Sequence, residues 1–308
     1  MTGVAIRSAA SPSRLAFRRF LGHRLAVLSF LILAVLALAA LAAPWITAAL
    51  GLDPEAVDLF ARFSPISGAH PLGTDELGRD VLARLLHGGR VSLFVGIVAA
   101  LCSAVVGTVV GLIAGYRGGW LDGLLMRVTD GVIALPALPL LIVLAAVDLE
   151  KLGVPAAWSE SEDISLYRIV AIVAAIGWTT VARLVRAETL ALRSRTFVLA
   201  AQAQGASPAR IMARHILPNL GSVIIVATTL ATGNVILLES VLSFLGLGIQ
   251  PPMPSWGNLL TNAQELIWSA PGLAFYPGFL IFVTVVAFNF VGDGLQDALD
   301  PRSVETAR

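Results

Sequence analysis

Leu25 to Ile46 passes through 22 residues without one charged side chain. A helix needs about 20 apolar residues to cross the hydrocarbon core of a bilayer. No water reaches backbone N–H and C=O groups there, so such a segment must close its own hydrogen bonds as a helix. Five further segments have similar character: Val91–Gly115, Leu124–Val147, Leu166–Ala182, Leu220–Phe244 and Leu273–Val291. Together they predict an all-α membrane protein with six transmembrane helices. Composition agrees: 13% of the residues are charged, against about a quarter in soluble domains, and mean hydropathy is +0.84.

Charge is unevenly distributed. Arg7, Arg14, Arg18, Arg19 and Arg24 precede or open the first apolar run with no acid among them. A basic start and an apolar run also make a signal peptide, but this run exceeds the about 7–15 residues of a signal core, so the first span is read as retained. Threading six helices from the cytoplasm puts further arginines on the same side: Arg117, Arg127, Arg183, Arg186, Arg193, Arg195, Arg210, Arg214, Arg302 and Arg308. Fifteen of the 21 Lys and Arg side chains then lie inside, which predicts a cytoplasmic N-terminus and C-terminus. The stretch 148–163, with Asp148, Glu150, Glu160, Glu162 and Asp163 against Lys151, reads as an external loop.

Several segments carry finer expectations. Leu77, Val81, Leu82, Leu85 and Leu86 recur at helical spacing, with Asp80 and Arg84 on the other side as an i,i+4 pair. This predicts an interfacial amphipathic helix in the external segment 51–90. Gly107, Gly111, Gly115 and Gly119 recur every four residues and give one smooth face, on which two helices can approach closely in lipid. In the third span Arg127 and Asp130 are spaced to pair, while Pro136 and Pro139 predict a kink. The fifth span is the most polar. Its Asn234, Glu239 and Ser243 are candidates to line a path across the membrane, Glu239 above all, since an ionisable residue within a span is a functional candidate by default. A structural pairing role for Glu239 is the alternative.

Other chemistries are excluded by residue type. Lys151, the only lysine, is followed by Leu152, so no GxxxxGK[ST] loop exists and the chain carries no P-loop for ATP. HExxH and GxSxG are absent as well. Cys102 is the only cysteine, and His23, His70, His87 and His215 fall in four separate regions, so neither a disulfide framework nor a metal site is expected. Nothing in the charge pattern points to nucleic acid, and no nucleophile–base set points to an enzyme.

Between two spans lies the segment 187–219, AETLALRSRTFVLAAQAQGASPARIMARHILPN. Ala187–Gln204 is rich in helix formers, Gly205 breaks the run, and Ser207-Pro208 suits the cap and first position of a second, short helix. Pro218 is expected to close that helix. A bent, arginine-rich loop held in the cytoplasm is built to be gripped. Leu199-Ala200-Ala201, then Gly205, then His215-Ile216-Leu217-Pro218 resembles the EAA loop of ABC-importer permease subunits, with Leu199 where the motif has Glu. The phrases from His70 to Leu93 and from Leu237 through Trp256-Gly257, and the ending Gly292–Arg302, resemble the second permease subunit of dipeptide and oligopeptide systems.

That resemblance implies the type I ABC importer permease fold, with residues 1–90 forming an arm, first span and external segment, 91–292 the conserved transmembrane domain, and 293–308 a cytoplasmic tail. It implies that Ala200, Ala201, Gly205, Ala206, Ser207, Pro208, Arg210, Ile211 and His215 form the coupling surface for an ATPase. It further implies a homologous second permease, two ATPase subunits that bind ATP and magnesium, an extracytoplasmic solute-binding protein, a bacterial inner-membrane location and no cofactor in this chain. Peptides are the expected cargo; nickel complexes, glutathione or other small solutes are the alternatives within the family. An ATPase-independent secondary transporter is a further alternative, and would require an inverted repeat or paired charges along a path.

Overall fold

The computed structural model describes residues 12–300, apart from 149, 154, 156, 157 and 159–162. The described chain is helical and contains no β-strand. Helix α1 (Pro12–Gly22) ends at His23, whose ring Nδ1 accepts a hydrogen bond from the Ala26 N–H (3.1 Å) and so caps α2 (Arg24–Leu41). Ala42 leads α2 directly into α3 (Ala43–Leu50), which stops at Gly51 in the left-handed conformation. Then come α4 (Val81–Arg117), α5 (Gly119–Ala134), α6 (Ala137–Ala145), α7 (Ile164–Arg193), α8 (Thr196–Ala203), α9 (Pro208–Ile211), α10 (Gly221–Phe244), α11 (Ala263–Leu266) and α12 (Pro271–Leu299). Five of the helical stretches are long and apolar enough to cross a membrane, and the bent pair α5–α6 brings the total to six.

The glycine face works as expected at three of its four positions. A Cβ on Gly107 would lie 2.5 Å from the Trp178 carbonyl oxygen, one on Gly111 2.4 Å from that of Ala182, and one on Gly115 2.8 Å from that of Arg186. All three meet α7, so α4 and α7 run backbone to backbone. Small residues allow that approach and the dispersion contacts it brings. Gly119 is different: it has φ +63 and open space around it, and serves the turn between α4 and α5. On its other side α4 packs on α10 and α2, and α12 closes against both of these.

The segment read as an interfacial helix is instead the first turns of α4, which begins at Val81 and runs without a break into the span. Asp80 is its N-cap, accepting from the Ala83 N–H at 2.8 Å and facing His70 Nδ1 at 3.1 Å. Asp80 therefore does not pair with Arg84. Arg84 faces Asp75, with Nε 3.6 Å from Oδ2, and Asp75 also accepts from Arg79 Nε (2.7 Å) and from the N–H groups of Leu77 and Arg79. The i,i+4 pairing loses because the Asp80 carboxylate is taken up by the Ala83 N–H and His70, while Asp75 stands within reach of Arg84. Gly78 is tied to this loop: it has φ +74, and a Cβ there would sit 1.8 Å from the Asp58 carbonyl oxygen. Gly78→Ala is thus expected to unseat residues 55–80 without affecting the spans. Limited proteolysis in intact membranes checks this, with new cleavage confined to that loop and loss of protection elsewhere as the contrary result.

The third span is broken rather than gently kinked. α5 and α6 meet at 87° around Leu135-Pro136, where Leu135 is extended and Pro136 precedes the first turn of α6; Pro139 simply continues inside α6. Asp130 does not pair with Arg127. Its partner is Arg183 on α7, and two turns earlier Asp122 holds Arg186 (Nη2–Oδ2 2.7 Å). These two bridges tie α5 to α7. The external loop expected around 148–163 shows the Lys151–Asp148 pair at 3.6 Å, while Glu160 and Glu162 lie outside the described residues.

Candidate functional site

The loop between α7 and α10 is built in layers. α7 extends through Arg193, so the helix expected over 187–204 is two helices, broken where Arg195 becomes extended (ψ 148). α8 ends in a Schellman motif: the Ala206 N–H donates to the Ala201 carbonyl (3.0 Å) and the Gly205 N–H to that of Gln202 (2.9 Å). Gly205 takes the required left-handed conformation, φ +78. Ser207 then caps α9, accepting from the Arg210 N–H at 3.4 Å, and Pro208 occupies the first helical position.

Pro218 does not end this helix. Met212–Ile216 forms a π turn, in which the Leu217 N–H donates to the Met212 carbonyl, and Leu217–Leu220 a tighter turn that runs straight into α10. Proline has no N–H to give the carbonyl four residues back. The widened turn absorbs that mismatch, and Asn219 Nδ2 donates to the His215 carbonyl at 2.7 Å. Loop and span are therefore mechanically continuous.

Side chains divide by face. Val198, Ala201, Ile211, Ile216 and Leu220 are buried against Leu112 of α4 and Val181 and Val185 of α7. Ala201 and Ile211 thus anchor the loop inward and do not offer side chains outward. Ala200, Gly205, Ser207, Pro208 and Arg210 are exposed, Ala206 and His215 half-buried, and Phe197 and Leu199 add exposed apolar surface. The arginines divide likewise. Arg183 and Arg186 are engaged with α5, and Arg193 Nη1 donates to the Gly115 carbonyl at the end of α4 (3.2 Å). Arg195, Arg210 and Arg214 remain exposed.

Glu239 is fully buried. Ser243 Oγ donates to Oε1 at 2.7 Å and Ser92 Oγ to Oε2 at 3.1 Å. Each of these hydroxyls also accepts a backbone N–H from the loop that follows α10: Ser243 from Ile249 (3.0 Å) and Ser92 from Trp256 (3.1 Å). Trp256 is buried, donates Nε1–H to the Leu85 carbonyl (3.0 Å), and lies on Gly89, where a Cβ would meet its ring at 2.8 Å. The carboxylate is therefore the centre of a hydrogen-bond cage that fastens the loop 246–260 to α4 and α10. Of the three residues expected along a path, Glu239 and Ser243 are inside this cage and only Asn234 is exposed. Asn234 lines a cleft of about 220 Å³ beside the α5–α6 break, together with Ala137, Leu141, Gly177, Thr180 and Leu238. Ser92, Trp256 and Thr180 were not among the sequence candidates. Ser92 stands 147 positions before Glu239, and only the resemblance around Trp256 touched this region at all.

Residues 107–305 match the family of binding-protein-dependent transport system inner membrane components, and residues 11–64 match the N-terminal TM domain of oligopeptide transport permease C. The chain belongs to this permease family. The permease is 39% identical to the dipeptide transport system permease protein DppC of Alkalihalophilus pseudofirmus over 295 residues, 96% of this chain and 91% of the relative. It is 41% identical to the oligopeptide transport system permease protein OppC of Salmonella typhimurium over 285 residues, 92% and 89% of the two chains. Within the permease, the first match spans the glycine face, the α7–α10 loop and Glu239, Ser243 and Trp256 of the cage but not Ser92, and the second spans α1 to α3. It is a multi-pass membrane permease, a transport subunit of the binding-protein-dependent type.

Proposed function

We propose that this chain forms half of the translocation path of an ATP-driven peptide importer in the bacterial inner membrane, with both termini in the cytoplasm. A homologous permease completes the path, two ATPase subunits bind ATP and magnesium below it, and a solute-binding protein delivers cargo from outside. Residues 91–292 act as the moving transmembrane unit, 1–90 as its flank and 293–308 as a tail. The observation that carries the coupling is the elbow of α8 and α9, exposed at Ala200, Gly205, Ser207, Pro208 and Arg210 and buried on its inner side against α4 and α7.

An ATPase that grips the outer side moves α7 and α10 with it, because the elbow joins both helices without a slack segment. Alternating access then needs only two poses of the bundle and a partner whose affinity differs between them. The exposed Thr180 and Asn234 supply polar lining to the cleft beside the α5–α6 break, on the side we assign to the path. Glu239 and Ser243 contribute by holding the outer loop in place. Dipeptides or oligopeptides are the cargo that the relatives' names support.

Gly205→Val tests the elbow. A Cβ there meets no atom within 4 Å, so the substitution acts through the backbone alone, and the left-handed conformation costs a β-branched residue roughly 1–2 kcal/mol or more. Peptide uptake by cells carrying the variant is expected to fall severalfold while the amount of protein in the membrane stays constant. Uptake at the wild-type rate would overturn the lever.

A further inference from the structure

α1 uses one side only. Its inner side is fastened to the C-terminal end of α12, where Arg19 Nη1 donates to the Asp300 carbonyl (3.2 Å) and the Phe20 ring lies over Gly294, and to α2, where Phe20 stands edge-on to Phe30 with ring centres 6.4 Å apart. At the bend that follows, His23 lies 3.9 Å from Asp297. The other side presents Phe17 and Leu21, 63% and 52% exposed, beside the exposed Arg14 and Arg18. Neither arginine makes an ion pair with a described residue.

Two observations say what covers this face. The apolar part is followed directly in the chain by the candidate span α2, whose Leu25, Leu28 and Leu31 are all more than half exposed, so α1 lies next to the end of that span. The charge on this arm is entirely positive, with Arg7, Arg14, Arg18, Arg19 and Arg24 and no acid before residue 53. Aromatic and leucine side chains flanked by arginines suit the boundary between acyl chains and headgroups, and basic side chains there are attracted to anionic lipids.

We propose that the outer face of α1 is a docking surface for anionic phospholipid headgroups, with Phe17 and Leu21 inserted at the acyl boundary and Arg14 and Arg18 on the phosphates. The lipid contact fixes α1 against the membrane, and the ties to Gly294, Asp297 and Asp300 pass that constraint to the end of α12. The sole cysteine makes the test direct. A nitroxide is attached at Phe17→Cys in a full chain carrying Cys102→Ser, and the protein is placed in nanodiscs of phosphatidylcholine with or without phosphatidylglycerol. Collision with oxygen relative to a water-soluble nickel chelate then reads depth.

With phosphatidylglycerol the label is expected to favour oxygen. That preference shifts toward the chelate in phosphatidylcholine alone, or when Arg14→Gln and Arg18→Gln are added, and returns with Arg14→Lys and Arg18→Lys, which keep the charge. A label shielded from both reagents would mean that protein covers the face, and would overturn the proposal. So would an oxygen preference indifferent to phosphatidylglycerol and to the two arginines.

Discussion

Permease carrying Gly111→Leu is expected not to survive extraction as a folded, monodisperse protein. Even a single added carbon at Gly111 would stand 2.4 Å from the Ala182 carbonyl oxygen, 2.9 Å from the Val185 Cβ and 3.0 Å from the Arg186 nitrogen. Two of these are backbone atoms of α7, which cannot rotate away as a side chain can. The helices must separate, and Gly107 and Gly115 on either side then lose their contacts too. Overpacking by extra methylenes alone costs roughly 1–3 kcal/mol, and the lost packing over three turns adds to it, against a total stability of about 5–15 kcal/mol for a typical domain. Fluorescence-detected size exclusion of a tagged protein reads the outcome. Gly123→Ala, where nothing lies within 4 Å, should elute like the wild type. A sharp wild-type peak for Gly111→Leu would show that α4 and α7 do not meet on this face.

The second large effect concerns Glu239. Glu239→Leu fills similar volume but removes the acceptor of both the Ser92 and Ser243 hydroxyls. A buried donor left unsatisfied costs about 1–3 kcal/mol, so the pair loses roughly 2–6 kcal/mol. The same hydroxyls orient the Trp256 and Ile249 N–H groups, so the damage is directed at the loop 246–260. Protease cleavage within that loop and loss of peptide uptake are expected together. Glu239→Gln keeps one acceptor oxygen and should be milder on both counts. If Glu239→Leu left the loop protected and only altered uptake, the side chain would belong to the path and the cage would be wrong. Asn234→Ala gives the complementary pattern: changed uptake with unchanged thermal stability.

Much of the architecture was legible because bilayer physics writes it into long runs of residues. Six apolar segments, the glycine face of α4 and the Gly205 bend each depend on a pattern local in sequence, and the family resemblance was carried by contiguous phrases. What failed was pairing. Asp80 and Arg84, and Arg127 and Asp130, have helical spacing, yet each acid found a better partner: the N-terminus of α4 and His70 for Asp80, Arg183 of α7 for Asp130. Pro218 misled because a π turn can carry a helix past a proline, and nothing in HILPN announces one. Glu239 was flagged correctly as unusual, but its role depended on three loop and helix segments that only the fold brings together.

The α8–α9 elbow, as proposed, is the handle for an ATPase. The direct measurement is site-specific photo-cross-linking in the reconstituted importer, with the probe placed in turn at Ala200, Ala209 and Arg210 on the elbow and at Phe60 in the 51–80 loop. Cross-links to the ATPase are expected from the three elbow positions, changing with bound nucleotide, and none from Phe60. Elbow positions that never reach the ATPase in a complex competent for uptake would contradict it.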